Sequence, residues 1–302
     1  MEPRTTLPLD IFLNIIDLLA GGDDKDIKSL QILSQACKSM VPLCRKHLFS
    51  SLCHRKLNSE RFNDLLSKNP DIAFYVKHLN YRVYNPTDHE LNCLDILKER
   101  SSLQSIELSS PGLNWNNFSE SIRSSLVSLI QLPTVTHLKI YSFEGFSAMA
   151  LSGCSNLIDL QLGYLDLALP EVNQVISRSK IPTPVSLDIM SGTHGFADLL
   201  VDSASLHAGS PIDFSRVQMA IFGVAFRGDI DNITKLIKVT RQLKYIYITS
   251  ECLALFKVLS LQNFDSKILC SVSSFRVGRT GRKPCDQRVS DAYIAGTQNY
   301  KH

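Results

Sequence analysis

Apolar residues recur along most of the chain with one spacing, at positions i, i+3 and i+5. The triplets are Val76/Leu79/Tyr81, Leu103/Ile106/Leu108, Val135/Leu138/Ile140, Leu157/Leu160/Leu162 and Leu243/Ile246/Ile248, with two weaker copies that contain Leu187 and Ile189, and then Met219 and Ile221. Two apolar residues separated by one position suit a short strand with one buried face, because successive strand side chains point to opposite faces. We therefore predict seven short strands whose apolar side chains form the core.

Helix signals occupy intervals between these strands. In several intervals a Ser, Asp or Gly precedes apolar residues at helical spacing, and Ser and Asp are common helix N-caps. The segments contain Leu91/Leu94/Leu97, Ile122/Leu126/Leu129/Ile130, Phe196/Leu199/Leu200 and Ile233/Leu236/Ile237. A unit of one strand and one helix cannot bury its apolar face alone, so such units have to stack on their neighbours.

The length of the unit is typical of one repeat class. The middle residues of the triplets are 27, 32, 22, 27, 32 and 27 residues apart, near the leucine-rich-repeat period of about 20–29 residues. The period is irregular, and the asparagine that regular repeats carry after the strand is missing. We predict an α/β fold in which residues 57–270 form an irregular leucine-rich-repeat solenoid, an α/β horseshoe.

The pattern differs at the N-terminus, in residues 1–56. An apolar segment over residues 11–20 predicts a helix, on which Asp10, Asn14 and Asp17 share one narrow polar face. Apolar residues cover the remaining arc of roughly 220°, whereas a surface helix needs an apolar stripe of about 100°. Either this helix is central in its own core, or one side of it binds a partner.

Two more short helices are predicted before the solenoid. One runs from about Asp26 to Met40, and the next starts near Val41 and carries Leu48 and Leu52. Three short helices in about 50 residues bury little apolar surface, and binding a partner is a common remedy for such marginal domains.

A motif runs through these three helices in a definite order. It consists of Leu7-Pro8-Leu9-Asp10-Ile11, then Ile15, Leu18 and Leu19, then residues 30–40 with Ser34, Cys37 and Lys38, and finally Leu48-Phe49. In this order the segment resembles an F-box. It departs from the family pattern at Met40 and Phe49, where aromatic residues and tryptophan are usual, and in a longer turn at residues 21–25.

The resemblance implies a docking role for Leu7, Pro8, Ile11, Ile15 and Leu18, which match the positions that insert into a Skp-type adaptor protein. On this hypothesis the chain recruits substrates to a Skp–cullin–F-box (SCF) ubiquitin ligase, contacts a cullin through the adaptor, and binds a protein target with its repeats. The alternative is a leucine-rich-repeat interaction scaffold without a ligase role, in which the helices only cap the solenoid, because repeat arrays need caps.

Further stretches carry a second resemblance. Residues 69–79, 113–116, 132–138 and 154–160 are similar to the expanded F-box-like proteins of mushroom-type fungi. The resemblance extends over roughly residues 5–250. It implies the architecture and a generic role but no particular target.

Target binding is expected on the solvent-facing side chains of the predicted strands. The candidates are His78, Asn80, Gln104, Glu107, His137, Lys139, Gln161 and Tyr247. They share no chemistry, and for each the alternative is a solvated surface. The only tryptophan, Trp115, lies in a loop and is interpreted as packing over the end of a repeat.

Composition and motifs narrow the function classes. The 302 residues are 44% hydrophobic with a net charge of +3, which is ordinary for a globular protein and gives no basis for a nucleic-acid footprint. The eight cysteines form no Cys-x-x-Cys pair, so we predict no metal site and reduced thiols in the cytoplasm or nucleus. No apolar run is long enough to span a membrane.

Catalytic and cofactor motifs are missing. The sequence has no phosphate loop, dinucleotide fingerprint, nucleophile elbow or zinc-protease motif, and the small-residue turn at residues 191–195 is interpreted as a connecting loop. We expect a protein that is not an enzyme and needs no cofactor. The basic residues 271–302, with Arg276 and Arg279, are predicted to form a disordered tail.

Overall fold

A computed structural model describes residues 8–20, 24–36, 38–53, 59–84, 88–168, 181–193, 211–224, 227–240, 242–250 and 274–279. The α-helices are α1 (Leu9–Ala20), α2 (Asp24–Ala36), α3 (Val41–Leu48), α4 (Ser59–Lys68), α5 (Asp88–Arg100), α6 (Glu120–Ile130) and α7 (Arg227–Val239). The strands are β1 (Ser51–Cys53), β2 (His78–Arg82), β3 (Ser105–Asn114), β4 (His137–Glu144), β5 (Phe146–Ser147), β6 (Asp159–Gly163), β7 (Leu167–Ala168), β8 (Ser186–Ile189), β9 (Met219–Val224), β10 (Tyr245–Ser250) and β11 (Ser274–Arg279).

Nine strands form one parallel sheet whose spatial order follows the chain: β1, β2, β3, β4, β6, β8, β9, β10 and β11. Strands β5 and β7 pair separately. Parallel neighbours need a crossover connection, and α4, α5, α6 and α7 lie in four of these crossovers. The prediction of an α/β fold is confirmed, and Leu79, Ile106, Leu138 and Leu160 occupy matching positions on adjacent parallel strands, as predicted.

One hydrogen-bonding pattern joins each strand to the next. The carbonyl group of the residue that precedes each strand accepts two hydrogen bonds from the start of the next strand. One donor is the N–H of that strand's first residue, and the other is the N–H of the residue immediately before that first residue. The Gln104 carbonyl, for example, accepts from Thr136 at 2.9 Å and from His137 at 3.0 Å. The same arrangement occurs at Ser50, Lys77, Thr136, Ile158, Val185 and Gln218. These equivalent junctions keep the strands in constant register, so side chains at equivalent positions form straight rows across the sheet.

The apolar triplets form a continuous core with the helices. Ile106, Leu138 and Leu160 are buried on one side of the sheet, together with Leu94 and Leu126 from α5 and α6. Trp115 is 3% exposed and packs among Phe118, Phe143 and Phe146, with ring centroids 4.8–5.8 Å from its own. Its predicted packing role is confirmed.

The predicted register of β9 is wrong by one residue. Met219 and Ile221 were assigned to the core, but the buried residues are Ala220 and Phe222, and Ala220 aligns with Leu187 and Ile246. A shift of one residue moves every side chain of a strand to the other face. Met219 and Ile221 therefore face outward.

The predicted third helix is too long. It ends at Leu48, and Leu52 lies on β1, where it aligns with Leu79 of β2. Phe49 packs against the sheet core. Residues 49–53 therefore start the sheet, because Phe49 and Leu52 repeat the first two positions of the apolar triplet.

The predicted tail contains a strand. Residues 274–279 form β11, where Phe275 and Val277 align with Ile246 and Ile248 of β10. The alternating apolar residues explain this difference, because period-2 alternation suits a strand with one buried face. The rest of residues 271–302 lies outside the described residues, as do the predicted helix at residues 196–200 and the end of the turn at residues 191–195.

The three N-terminal helices have a core of their own. Ile16, Leu30, Met40 and Cys44 are buried together. Helices α1, α2 and α3 are called the helical unit below.

Candidate functional site

Helix α1 uses one of its sides for the core of the helical unit. Ile16 is 1% exposed, and Phe12 and Leu19 pack partly buried beside it. These positions are spaced four and three residues apart, which places them on one side of a helix. His47 of α3 also contacts α1, because its Nε2 lies 3.1 Å from Oδ1 of Asp17.

A second apolar side of α1 is exposed. Ile11 and Ile15 are each 40% exposed and Leu18 is 78% exposed. They are also spaced four and three residues apart, so they form a second stripe, called the docking face below. Of the other residues predicted to dock, Pro8 is exposed, whereas Leu7 lies outside the described residues.

The buried stripe separates the docking face from two other exposed leucines. At roughly 100° per residue, Leu9 and Leu13 lie on the far side of the stripe centred on Ile16. Leu13 is 38% exposed, nearly as much as Ile11. The helix therefore has two exposed apolar margins, of which only the docking face matches the predicted positions.

Outward-facing side chains of the sheet form two rows. The central row contains Asn80, Glu107, Lys139, Gln161, Asp188, Ile221 and Tyr247. The outer row contains His78, Ser105, His137, Asp159, Ser186, Met219 and Tyr245. All of the predicted target-binding residues except Gln104 lie in these rows, and Gln104 is exposed immediately before β3. The structure thus brings them onto one surface, called the strand face below.

Side-chain amides and carboxylates pair along the central row. Asn80 donates from Nδ2 to Oε1 of Glu107 at 2.8 Å, and Gln161 donates from Nε2 to Oδ2 of Asp188 at 2.7 Å. Lys139 lies between the two pairs. Each pair joins adjacent strands, so the row is preorganised before any partner binds.

Asp188 differs electrostatically from the other carboxylates of the strand face. Burial raises its pKa to about 6, and the attraction of Lys139 opposes this shift. The pKa rises because removal from water disfavours the charged form of a carboxyl group. Within the described residues no ion pair is formed by Asp188, so the neutral Gln161 amide is its direct partner.

His137 and Asp159 of the outer row form a hydrogen-bonded trio with Thr136, the residue before β4. His137 lies with Nε2 2.7 Å from Oδ2 of Asp159 and Nδ1 2.7 Å from Oγ1 of Thr136. The His137 and Asp159 side chains are 48% and 40% exposed, so bulk water competes for both. A nucleophilic site needs oxyanion donors and exclusion of water. The trio is too exposed to water to meet the second requirement. We interpret it as a surface hydrogen-bond network.

His78 also lies on the outer row. Burial lowers its pKa, and the nearby charges of Lys77 and His137 add to this effect. A lowered pKa keeps the imidazole neutral at physiological pH. His78 therefore offers hydrogen bonds rather than charge to a partner.

The character of both rows changes at β9. Met219 and Ile221 on β9 align with Tyr245 and Tyr247 on β10, and these four side chains are called the apolar block below. Of these four residues, only Tyr247 was predicted from the sequence to face outward. A signal for Met219 and Ile221 was present, because Val217, Ala220 and Phe222 repeat the i, i+3, i+5 spacing and place these two residues outward.

The described residues contain neither a metal-binding cluster nor a membrane-spanning helix. Among those described, no three His, Cys, Asp or Glu side chains are arranged to hold a metal ion. The described helices include none with the length and apolar character needed to cross a membrane.

No model of a known protein family matches the chain, and no curated protein matches it either. The candidate surfaces are therefore interpreted from their own geometry, namely an apolar docking face on α1 and a mixed strand face on the sheet.

Proposed function

We propose that the chain is a substrate-recruiting adaptor of an SCF-type ubiquitin ligase. The docking face of the helical unit binds a Skp-type adaptor and, through it, a cullin. The strand face binds a protein target. The protein acts as a binding subunit in the cytoplasm or nucleus, without a catalytic site of its own.

The exposure of Ile11, Ile15 and Leu18 is the observation that carries this proposal. Phe12, Ile16, Leu19 and Ala20 already supply apolar contacts of α1 inside the helical unit, so the docking face is apolar surface beyond what this core uses. Burying a Leu or Ile side chain stabilises a complex by roughly 1.5–3 kcal/mol. A contiguous exposed apolar patch is typical of a protein-binding site.

We also propose that the parallel sheet is an irregular leucine-rich-repeat horseshoe. The strands are adjacent in chain order, and equivalent carbonyls accept equivalent N–H groups at each junction from Ser50 to Gln218. Such regularity suits a stack of similar units, each of which contacts its neighbours. Repeat stacks present a continuous surface for a partner, which here is the strand face.

The thiols are consistent with a reducing compartment. The described cysteines Cys44, Cys53, Cys93 and Cys154 are free. Burial raises the pKa of the Cys154 thiol to about 12, which keeps it in the unreactive protonated form. Free, buried thiols are usual in cytoplasmic and nuclear proteins.

The decisive experiment compares two variants of α1. Ile11→Asp with Ile15→Asp places carboxylates on the docking face, whereas Leu13→Asp places one on the other exposed margin. Binding of each full-length variant to a purified Skp-type adaptor is measured by calorimetry. We expect the double variant to bind the adaptor at least about a hundredfold more weakly, which corresponds to a loss of about 3 kcal/mol in binding free energy. We expect Leu13→Asp to keep the affinity of the unmodified chain.

Folding must be measured in the same samples. Circular dichroism should show native helix content for both variants, because the three substituted residues are exposed. An adaptor that binds the double variant as tightly as the unmodified chain would reject the docking proposal. Equal loss in the Leu13→Asp control would also reject it, because the effect would then not be specific to the docking face.

A second candidate function is an interaction scaffold in which the helical unit only caps the sheet. Its support is that Phe49, directly after α3, packs against the sheet core, and that β1 is the end strand of the sheet. On this alternative the adaptor binds neither the unmodified chain nor the Ile11→Asp/Ile15→Asp variant, whereas deletion of residues 8–48 destabilises the sheet. If the unmodified chain binds the adaptor and the deletion also destabilises the sheet, the helical unit has both roles.

A further inference from the structure

The apolar block has no role in the core of the sheet. Its side chains project from the face opposite to Ala220, Phe222, Ile246 and Ile248, which are buried. Met219 and Ile221 are half-buried and Tyr245 is 42% exposed. Neighbouring strands lie about 4.8 Å apart, so the four residues form a compact two-by-two patch.

A carboxylate borders this patch at a defined position. Asp188 is the register partner of Ile221, which in turn is the partner of Tyr247. Asp188, Ile221 and Tyr247 thus follow one another in the central row at the spacing of adjacent strands. On the other side of Asp188, Gln161 donates its hydrogen bond.

The charge of Asp188 is only partly compensated. Among the described residues, the groups that act on it are the Gln161 amide and, two strands away, Lys139, while its neighbour on β9 is the apolar Ile221. Asp159, the other carboxylate near the block, already pairs with His137 at 2.7 Å. A cation brought to Asp188 would therefore gain more than one brought to Asp159, because desolvated charges interact more strongly when no other counter-ion is present.

We propose that the strand face recognises a protein segment with a large apolar side chain next to a lysine or arginine. The apolar side chain packs on the apolar block, and the cation pairs with Asp188. This inference rests on the proposed function only in assuming that the strand face binds the target. Aromatic and methionine side chains are enriched at the centres of protein interfaces, and charge complementarity selects the cation.

A random peptide library displayed on phage tests the preference directly. The bait is the full-length Ile11→Asp/Ile15→Asp variant, so that the docking face cannot collect apolar peptides. We expect the selected peptides to share a large apolar residue with Lys or Arg close to it. A synthetic peptide of the selected sequence should bind Asp188→Asn about tenfold or more weakly than the bait.

Two matched variants separate the site from general effects. Asp71→Asn removes an exposed carboxylate outside the sheet and should leave peptide binding unchanged. Ile221→Ser, which removes the centre of the apolar block, should weaken binding at least as much as Asp188→Asn. Circular dichroism checks that each variant is folded.

Several outcomes would overturn the proposal. Peptides without a basic residue, a selected peptide that binds Asp188→Asn undiminished, or the recovery of no binding peptide would each do so. Self-association that Ile221→Ser abolishes, measured by analytical ultracentrifugation, would instead assign the block to contacts between copies of the chain. The docking face is disrupted in the bait, so the peptide result does not depend on adaptor binding. Failure of the adaptor proposal can therefore be distinguished from failure of the strand-face proposal.

Discussion

The helical unit and the sheet differ in how they use apolar residues. Among the described residues of the helical unit, only Ile16, Leu30, Met40 and Cys44 are buried together, whereas the sheet core extends from Leu52 to Ile248. Of the twelve large apolar side chains that are exposed among the described residues, seven belong to α1 and α2. The helical unit thus has a small core and much exposed apolar surface.

This difference indicates two kinds of stability. The sheet stabilises itself, since each unit covers the apolar face of the next. The helical unit buries too little to be very stable alone, and a partner that binds only its folded form adds stability by mass action. Substitutions in the sheet core should therefore lower the stability of the fold. Substitutions on the docking face should weaken adaptor binding and leave stability nearly unchanged.

The largest expected effect on stability comes from the sheet core. Leu162→Ala removes a fully buried side chain and should cost about 2–5 kcal/mol in free energy of unfolding. The matched Leu18→Ala substitution in α1 should change it by less than about 0.5 kcal/mol, because Leu18 is exposed. Urea denaturation followed by circular dichroism measures both values. Equal destabilisation by the two substitutions would contradict the comparison.

A smaller and pH-dependent effect is expected on the strand face. Because burial raises the pKa of Asp188 to about 6 from the ordinary 3.8, the folded protein binds more protons than the unfolded chain between these values. The contribution of Asp188 to the free energy of unfolding should therefore fall as pH rises from about 4 to about 6, and it should be lower by up to ~3 kcal/mol at higher pH. Lys139 is the cation that acts on Asp188 and opposes the rise of its pKa.

Asp188→Asn isolates this contribution. The variant keeps a polar group beside Gln161 but has no proton to lose, so the difference in stability between it and the unmodified chain should grow in its favour from pH 4 to pH 7. Urea denaturation at a series of pH values measures this difference. A constant difference across the range would show that Asp188 titrates like an exposed carboxylate.

The smallest expected effect concerns helix caps. In the sheet region, Ser119 caps α6 by accepting a hydrogen bond from the Ile122 N–H at 3.4 Å, whereas Met40 at the start of α3 makes no side-chain cap. Ser119→Ala should cost about 1 kcal/mol. Ser121→Ala, an exposed change in the same turn, should be neutral or slightly stabilising. A cost for Ser121→Ala equal to that for Ser119→Ala would rule out capping as the cause.

Sequence periodicity predicts the sheet well where each strand has one apolar face. Leu79, Ile106, Leu138 and Leu160 were placed correctly because polar residues flank them. The register of β9 was misassigned because Met219, Ala220, Ile221 and Phe222 are all apolar, so alternation does not distinguish the faces. Phe222 is the residue that is buried in the core. Val217 indicated this register, because Val217, Ala220 and Phe222 have the i, i+3, i+5 spacing.

Short elements and shared surfaces are harder to predict. Strand β1 has three residues and follows a helix directly, so its apolar residues continued the helical pattern in the sequence. The docking face was predicted from two signals: the excess of apolar arc on the first helix, and the resemblance to an F-box, which supplied the positions Ile11 and Ile15. The pairing of Gln161 with Asp188 needed the strand register, which joins residues 27 positions apart.

The burial of Trp115 makes the two regions optically distinguishable. It is the only tryptophan in the chain, it sits in the aromatic cluster at the end of β3, and the helical unit contains none. Its fluorescence emission should shift to longer wavelength when water reaches the opened sheet, because water relaxes around the excited indole. Melting of α1 to α3 leaves that emission unchanged, so one sample reports sheet opening separately from loss of the docking helices.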